Sequence, residues 1–380
     1  MMPIRESIKP IRPFTRDDIP QVADLHRRVF GVNGTPSQHP ISATLLKAYA
    51  DYLEAIFFRN PWYDETMPSL VFQESTGRIT GFLGVMPRRM SLRGQPINVA
   101  ISSQFIVEPG NRKAVAAVQM MKAFLSGPQD LSLTDEANNI SRKLWEGFGG
   151  VTAQLYSIHW TRMLRPSRYA ASLFASVLKE RKLLSPFLLA AKPVCDLVDA
   201  IAARKLPHRF SQPRPEVEAE ELNLEKMLLC LSEFSETRTL WPEYDDRSLS
   251  WLLETIARKT QWGDLRKLVI HNARGEVIGW YIYHLKPGGA SNLLQVMAKK
   301  TSIEEVLDHL FYDAWQQGSL AVSGRMEPQF MQAFADKRCL FNCGTPWVLI
   351  HSRDPDLLRS IHYGDALLSK LEGEWCMRFR

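Results

Sequence analysis

Two segments of the chain repeat one pattern, and this repeat constrains the fold more than any other feature of the sequence. Residues 70–82 read LVFQESTGRITGF and residues 268–280 read LVIHNARGEVIGW, so they align without a gap. Each begins with Leu-Val, passes through a polar stretch that ends in glycine, and leaves through glycine and an aromatic residue. An apolar strand, a polar turn and a second strand are typical of a β-hairpin. The repeat therefore predicts two copies of one domain in the chain.

The order of elements after each hairpin is similar, which supports a duplication. In the first half the predicted elements are two or three antiparallel strands over 82–109 with breaks at Pro87 and Arg93-Gly94, a helix over 111–127, a short strand over 130–139, a helix over 139–150 and a final strand over 151–164. The second half repeats this order more loosely and ends in a strand over 345–352. The sequence thus predicts an α+β protein with two mixed domains, each a twisted central sheet flanked by helices. We place the domains at 1–165 and 215–380, joined by a basic helical linker over 166–214.

The linker holds most of the positive charge of the chain. The formal net charge is +6, and residues 167–210 carry eight basic side chains against three acidic ones. A basic helix with an apolar face can lie on a membrane surface, or it can pack against its own domains with its charges in water. The sequence favours the second interpretation and leaves peripheral association through 167–210 open. The basic residues form no stripe with interleaved aromatic residues, so we expect no nucleic-acid binding.

The composition excludes several other classes. Hydrophobic residues make up 45% of the chain and charged residues 23%, which is typical of a globular protein. No apolar run approaches the length of a membrane span, and the start of the chain lacks the apolar core of a signal peptide. Five scattered cysteines fit a reducing compartment. We therefore expect a cytoplasmic protein without a structural metal, and the oligomeric state stays open.

One segment is suited to binding phosphate. Residues 105–117 read FIVEPGNRKAVAA, a strand followed by a Pro-Gly break and the start of a helix. The first N–H groups of a helix have no partner within the helix, and its N-terminal end is positive. Arg112 and Lys113 add two cations beside these amides.

This segment resembles the pattern of the GNAT acyltransferase superfamily, in which Val-x-Pro-x-x-Arg precedes a Gly-rich turn. Val107, Pro109, Arg112 and Ala117 match it. A second match follows at the spacing of the family: Asn138, Ser141, Leu144, Trp145 and Gly149. The resemblance covers about residues 10–165 and implies an acyl-CoA donor, either acetyl-CoA or another acyl-CoA. It places the pantetheine arm between two splayed strands and assigns the contacts with the donor to Phe105, Val107, Arg112, Lys113, Ala114, Val115, Ala116, Ala117 and Asn138.

The sequence departs from this pattern at three positions. Lys113 and Val115 stand where the family has glycines, and Trp145 stands where many members carry a tyrosine that protonates the thiolate. The second half has no Arg-Gly-x-Gly motif, and acidic residues follow its equivalent position near 299–302. We therefore expect the second domain to be a degenerate copy that shapes the acceptor pocket or packs a dimer.

Acyl transfer to an amine needs a group that removes a proton and a donor that stabilises the oxyanion. The candidate bases are Glu108, at the end of the central strand, and Asp135 and Glu136, after the next strand; each is equally suited to be a cap or a solvated residue. The sequence predicts an acyl-CoA-dependent N-acyltransferase, with an acetyltransferase as the first expectation, that acts on a small amine such as an amino sugar or amino acid. The alternative is a catalytically inactive binding or assembly protein with the same fold.

Overall fold

The computed structural model describes residues 10–30, 42–110, 113–178, 192–205, 210–234 and 237–379. The strands are β1 (Ile11–Pro13), β2 (Leu70–Gln73), β3 (Ile79–Leu92), β4 (Gln95–Val107), β5 (Leu131–Ala137), β6 (Val151–Thr152), β7 (Ile158–Met163), β8 (Glu218–Glu221), β9 (Leu240–Pro242), β10 (Asp264–His271), β11 (Val277–Leu285), β12 (Ala290–Ala298), β13 (Ala321–Arg325), β14 (Leu340–Cys343) and β15 (Trp347–His351). The α-helices are α1 (Ile19–Phe30), α2 (Ala43–Leu53), α3 (Lys113–Leu125), α4 (Asn139–Gly147), α5 (Pro166–Leu178), α6 (Lys192–Lys205), α7 (Leu224–Phe234), α8 (Asp246–Ala257), α9 (Ile303–Gln316), α10 (Met331–Asp336) and α11 (Pro355–His362).

The described strands form two mixed sheets, and the helices flank them. The first sheet has the order β1-β2-β3-β4-β5-β15-β6, with β9 beside β3, and the second has the order β14-β7-β13-β12-β11-β10-β8. In each sheet one parallel pair, β4–β5 or β12–β13, adjoins an antiparallel meander. The predicted fold class, two mixed α/β domains in tandem, is confirmed.

The repeated hairpins are β2–β3 and β10–β11. Both have a register shift at the same place, after Phe72 and after Ile270, and both turns close through a glycine with positive φ. The glycine before the aromatic residue is explained by packing. A Cβ on Gly81 would lie 2.8 Å from Met120 Sδ in α3, and one on Gly279 would lie 2.9 Å from Val306 Cγ2 in α9. The glycine thus lets the following helix approach its sheet in both halves.

The two halves exchange their last strands. β7 from the first half pairs with β13 in the second sheet, and β15 from the second half pairs with β5 in the first. Trp160 of β7 is buried and packs against Phe311 and Phe334, which belong to the second half. The final strand expected over 151–164 is therefore two short strands that join different sheets. The domain boundaries at 165 and 215 stay a prediction, although each sheet draws strands from both sides of them.

Two further expectations differ from the structure. The chain does not break at Pro87, which lies within β3 opposite Ala100. On the other edge of β3, β2 ends its pairing at Leu83 and β9 begins at Met90, so the missing N–H of Pro87 costs no ladder bond there. The charged stretch over 211–221, which continues the predicted linker and was expected to have no strand, contains β8, an exposed edge strand that pairs with β10. None of the described helices is both long and apolar enough to cross a bilayer.

Candidate active site

The first sheet opens into a wedge between its two parallel strands. β4 and β5 pair only from Val99–Leu131 to Ile101–Leu133, although both strands continue beyond these residues. A cavity of about 820 Å³ occupies this wedge. Residues 102–105 of β4 and Thr134, Glu136 and Ala137 of β5 line it. Its volume falls within the range of sites that bind cofactors and other small molecules.

A β-bulge forms one wall of the wedge. Gly84 pairs with Ser103 and Phe82 with Ile106, so Gln104 and Phe105 together face Leu83. Gln104 has a φ of 52°, a conformation that is uncommon for a residue with a side chain. Bulges interrupt the ladder and redirect side chains next to functional sites. This bulge directs Gln104 and Phe105 toward the cavity.

A hydrogen-bonded chain of polar side chains crosses the same wall. The ring of His26 in α1 lies 2.6 Å from the hydroxyl of Tyr49 through Nδ1 and 2.9 Å from Gln104 Oε1 through Nε2. Gln104 Oε1 is an acceptor, so Nε2 carries the proton and Nδ1 accepts from Tyr49. Burial lowers the pKa of His26 to about 4, against a smaller opposing effect of Gln104. His26 is therefore neutral and positions Gln104 and Tyr49 in the wall.

The C-terminal segment of the chain closes the cavity from the other side. Glu374, Arg378 and Phe379 line it together with Gln261, so the second half supplies part of the site. The ring of Phe379 stacks on Tyr49 with the centroids 4.0 Å apart. The backbone N–H of Glu374 donates to Asp135 Oδ1 at 2.7 Å, which fixes this segment to β5.

Two carboxylates face the cavity. Glu136 binds Arg378, and Glu374 Oε1 accepts a hydrogen bond of 3.0 Å from Thr134 Oγ1. Burial, followed by the charge of Asp135, raises the pKa of Glu374 to about 8. The same two causes raise the pKa of Glu136, while Arg378 opposes them. A carboxylate with a pKa near neutrality is suited to accept a proton from a substrate.

The other candidate bases do not line the cavity. Glu108 lies at the end of β4 and binds Arg28 and Arg78, the latter at 2.5 Å. Asp135 is fully buried and forms an ion pair with Arg325 of β13. Both carboxylates are already paired with cations, and neither contributes to the cavity wall. The side chain of Asp135 instead joins β5 to the second sheet and to Glu374.

The residues assigned to the donor divide into three groups. Phe105 and Asn138 line the cavity, and Asn138 also caps α4 by accepting from Ile140 N at 3.0 Å and Ser141 N at 2.9 Å. Val107 and Ala116 are buried in the apolar layer between α3 and the sheet, Ala117 is half-buried, and Ala114 and Val115 are exposed on α3. Lys113 begins α3, and Arg112 lies outside the described residues.

The second sheet has an equivalent wedge, but residues 368–370 of the chain cross it. β12 and β13 pair from Ala290–Ala321 to Asn292–Ser323 and then separate. The backbone N–H of Lys370 donates to Leu294 O at 3.0 Å, and Lys370 Nζ donates to Asn292 Oδ1 at 2.7 Å. Arg325 of β13 reaches Leu368 O at 3.5 Å from the other strand. The segment that enters the first cavity therefore first occupies the second wedge.

Sequence reasoning missed His26, Tyr49, Gln104, Glu374, Arg378 and Phe379. Gln104 follows Ser102 and Ser103 and precedes three apolar residues, and this polar interruption of the strand was a usable signal. Glu374 and its neighbours follow the last predicted strand by more than twenty residues, and no pattern in the sequence places them near β5. Their position depends on the strand exchange.

Comparison with known families agrees with this geometry. Residues 10–130 match the family model of the acetyltransferase (GNAT) domain. Residues 10–130 are therefore a GNAT domain. No curated protein matches the sequence of this GNAT-fold protein.

Solved structures share the fold of this GNAT-fold protein at low sequence identity. A conserved protein of unknown function from Enterococcus faecalis, described as a probable N-acyltransferase, is 9% identical with a TM-score of 0.54, and the match covers 90% of this chain and 72% of that chain. A GCN5-related N-acetyltransferase from Anabaena variabilis is 10% identical with a TM-score of 0.54 and the same coverage. An N-myristoyltransferase from Saccharomyces cerevisiae, with bound myristoyl-CoA and inhibitors, is 10% identical with a TM-score of 0.50 over 97% of this chain and 88% of that chain.

Proposed function

We propose that the protein transfers an acyl group from acyl-CoA to the amine nitrogen of a small acceptor such as an amino sugar or amino acid. The observation that carries this proposal is the open wedge between β4 and β5, with a cavity of about 820 Å³ and buried carboxylates in its wall. The equivalent wedge of the second sheet contains the chain itself, so the first domain is the one with room for a donor.

The donor would enter where the two strands separate. Its pantetheine arm would lie along residues 102–105 of β4, and its pyrophosphate would lie at the start of α3, near Arg112 and Lys113. The bulge at Gln104 and Phe105 interrupts the ladder at the cavity wall, and a backbone N–H released there from the ladder would stabilise a developing oxyanion. Trp145 is buried in the wall and donates only through its indole N–H. The departing thiolate therefore takes its proton from solvent.

Glu374 is proposed as the group that removes the proton from the acceptor. A protonated amine cannot attack, because its lone pair is occupied. Glu374 accepts this proton, the nitrogen forms a bond to the acyl carbon, and the bond from that carbon to sulfur breaks. The nitrogen releases its second proton to solvent as the amide forms. The ion pair between Glu136 and Arg378 lies beside it in the same cavity. The ion pair with Arg378 stabilises the charged form of Glu136 and so weakens its tendency to take up a proton. The carboxylate of Glu374, which accepts a hydrogen bond from Thr134, is therefore the better proton acceptor.

Binding of the donor is tested by thermal denaturation with a panel of acyl-CoA donors. A ligand that binds only the folded state at one hundred times its Kd adds about 2.7 kcal/mol to the free energy of unfolding, so we expect a rise in Tm with acetyl-CoA or a longer acyl-CoA. Arg112→Glu is expected to abolish this rise, since it places a negative charge beside the pyrophosphate.

The matched control is Arg274→Glu, at an exposed position in the β10–β11 turn that does not line the cavity. It should keep the rise in Tm. A Tm that no acyl-CoA changes would refute the proposal, whereas binding without any turnover of amines would favour the inactive binding protein.

A further inference from the structure

The helix α6 exposes an apolar stripe on the surface of the protein. Val194, Leu197, Val198 and Ile201 follow the spacing i, i+3, i+4 and i+7, which places them on one face. Their exposed fractions are 62%, 62%, 47% and 49%. A stripe with this spacing normally packs against a core. In the structure these four side chains are exposed, unlike the intramolecular packing that the sequence favours for this linker.

The polar groups on the other face of α6 explain why the stripe faces outward. Asp199 accepts hydrogen bonds from Ser167 N at 2.8 Å and from Arg168 N at 3.3 Å, at the start of α5. Asp196 forms an ion pair of 3.3 Å with Arg168. The acidic side chains of α6 are thus used to hold α5, and its apolar face is left to the outside. Phe174 of α5, with an exposed fraction of 67%, adds to the apolar surface of the pair.

The helix pair is attached firmly at its base. The guanidinium of Arg165, which precedes α5, donates to Trp315 O at 3.0 Å and to Ser319 O at 2.8 Å in the second half. The chain enters α5 directly from β7 of the second sheet. The stripe is therefore presented by a helix pair with a fixed connection to the domain.

The charge of this segment identifies the kind of surface that the stripe fits. In the sequence residues 167–210 carry a surplus of five positive charges, and the described residues of this range account for two of them, with four basic side chains against two acidic ones. Arg204 and Lys205 are exposed at the end of α6. A second copy of the chain would bring the same positive charge against itself, which opposes pairing through this face. An anionic bilayer attracts this charge, and its acyl region receives apolar side chains.

We propose that α5 and α6 dock on the surface of an anionic lipid bilayer, with the stripe of Val194, Leu197, Val198 and Ile201 inserted between the headgroups. The helices lie in the plane of the interface and do not span it. This inference does not depend on acyl transfer, because it rests on the exposed stripe and the charge of the linker alone.

Flotation of the full-length protein with vesicles tests the inference. Vesicles of phosphatidylcholine mixed with phosphatidylglycerol should carry the protein upward at low salt, and pure phosphatidylcholine should carry much less. The double substitution Leu197→Asp with Ile201→Asp is expected to reduce binding to the mixed vesicles by more than about tenfold, since charges replace the inserted side chains. Arg204→Glu with Lys205→Glu should also weaken binding and reduce its dependence on salt.

The matched control is Leu229→Asp, at a position in α7 that is 65% exposed and lies outside the stripe. It should bind the mixed vesicles as the unmodified protein does. Equal binding by the Leu197→Asp, Ile201→Asp protein would overturn the inference. So would a failure of the unmodified protein to float, or a dimer in light scattering that only the stripe substitutions separate and that binds no vesicles.

Discussion

Glu374→Gln is expected to lower kcat/KM for acyl transfer by about a hundredfold to ten-thousandfold, the range for the loss of a general base. The amide keeps the shape of the side chain and cannot take a proton from the acceptor. Steady-state rates with acyl-CoA and a panel of small amines measure the effect. The control is Glu108→Gln, the same chemical change at a carboxylate that binds Arg28 and Arg78 outside the cavity wall.

The pH dependence separates this role from a structural one. Glu374 acts as a base only when it is deprotonated, and its pKa is raised to about 8. For the unmodified protein kcat/KM should therefore rise as the pH passes upward through about 8, and this limb should be absent in Glu374→Gln. If Glu374→Gln kept both the rate and the limb while Glu136→Gln lost them, Glu136 would take the role of the base.

The pH dependence of the free energy of unfolding gives a second test of the raised pKa of Glu374, and this test does not require turnover. The pKa of Glu374 is raised from an ordinary 4.5 to about 8 in the folded protein. Between these values the unfolded chain has lost the proton that the folded protein still holds. The tighter binding of this proton by the folded protein therefore stabilises it fully below pH 4.5, and this stabilisation is lost as the pH rises through about 8. Glu374→Gln should make the stability flatter across this window in urea titrations.

Arg325→Met is expected to lower the free energy of unfolding by about 3–5 kcal/mol, because it leaves the carboxylate of Asp135 buried without its cation. The exposed fractions of the two side chains are 3% and 0%. The effect extends beyond the pair, since Asp135 Oδ1 also accepts a hydrogen bond of 2.7 Å from the backbone N–H of Glu374. Urea denaturation measures the loss, and acyl transfer should fall with it.

The double variant Arg325→Met with Asp135→Asn should recover part of this stability, because no buried charge remains. The control is Lys47→Met in the exposed pair with Asp51, whose side chains are 75% and 67% exposed; exposed pairs contribute little. If Arg325→Met were as stable as the unmodified protein, the ion pair with Arg325 would not be needed to stabilise the buried carboxylate of Asp135.

Local patterns in the sequence were sufficient for the hairpins, for the helices α3 and α4, and for the part of the site on β4 and β5. Gly77 and Gly275 mark turns, and Asn138 marks a helix start, because each depends on a few neighbouring residues. Strand pairing depends on distant partners. The sequence of β7 does not indicate that Trp160 packs against α9 and α10. For the same reason Glu374 could not be assigned to a cavity built on β4 and β5.

The exchange of β7 and β15 ties the folding of one half to the synthesis of the other. The first sheet needs residues 347–351 between β5 and β6, so it stays incomplete until residue 351 has left the ribosome. A gene divided at residue 165 would yield two fragments, each without a strand that belongs to its own sheet. Such fragments would have to reassemble with each other before either could hold a substrate.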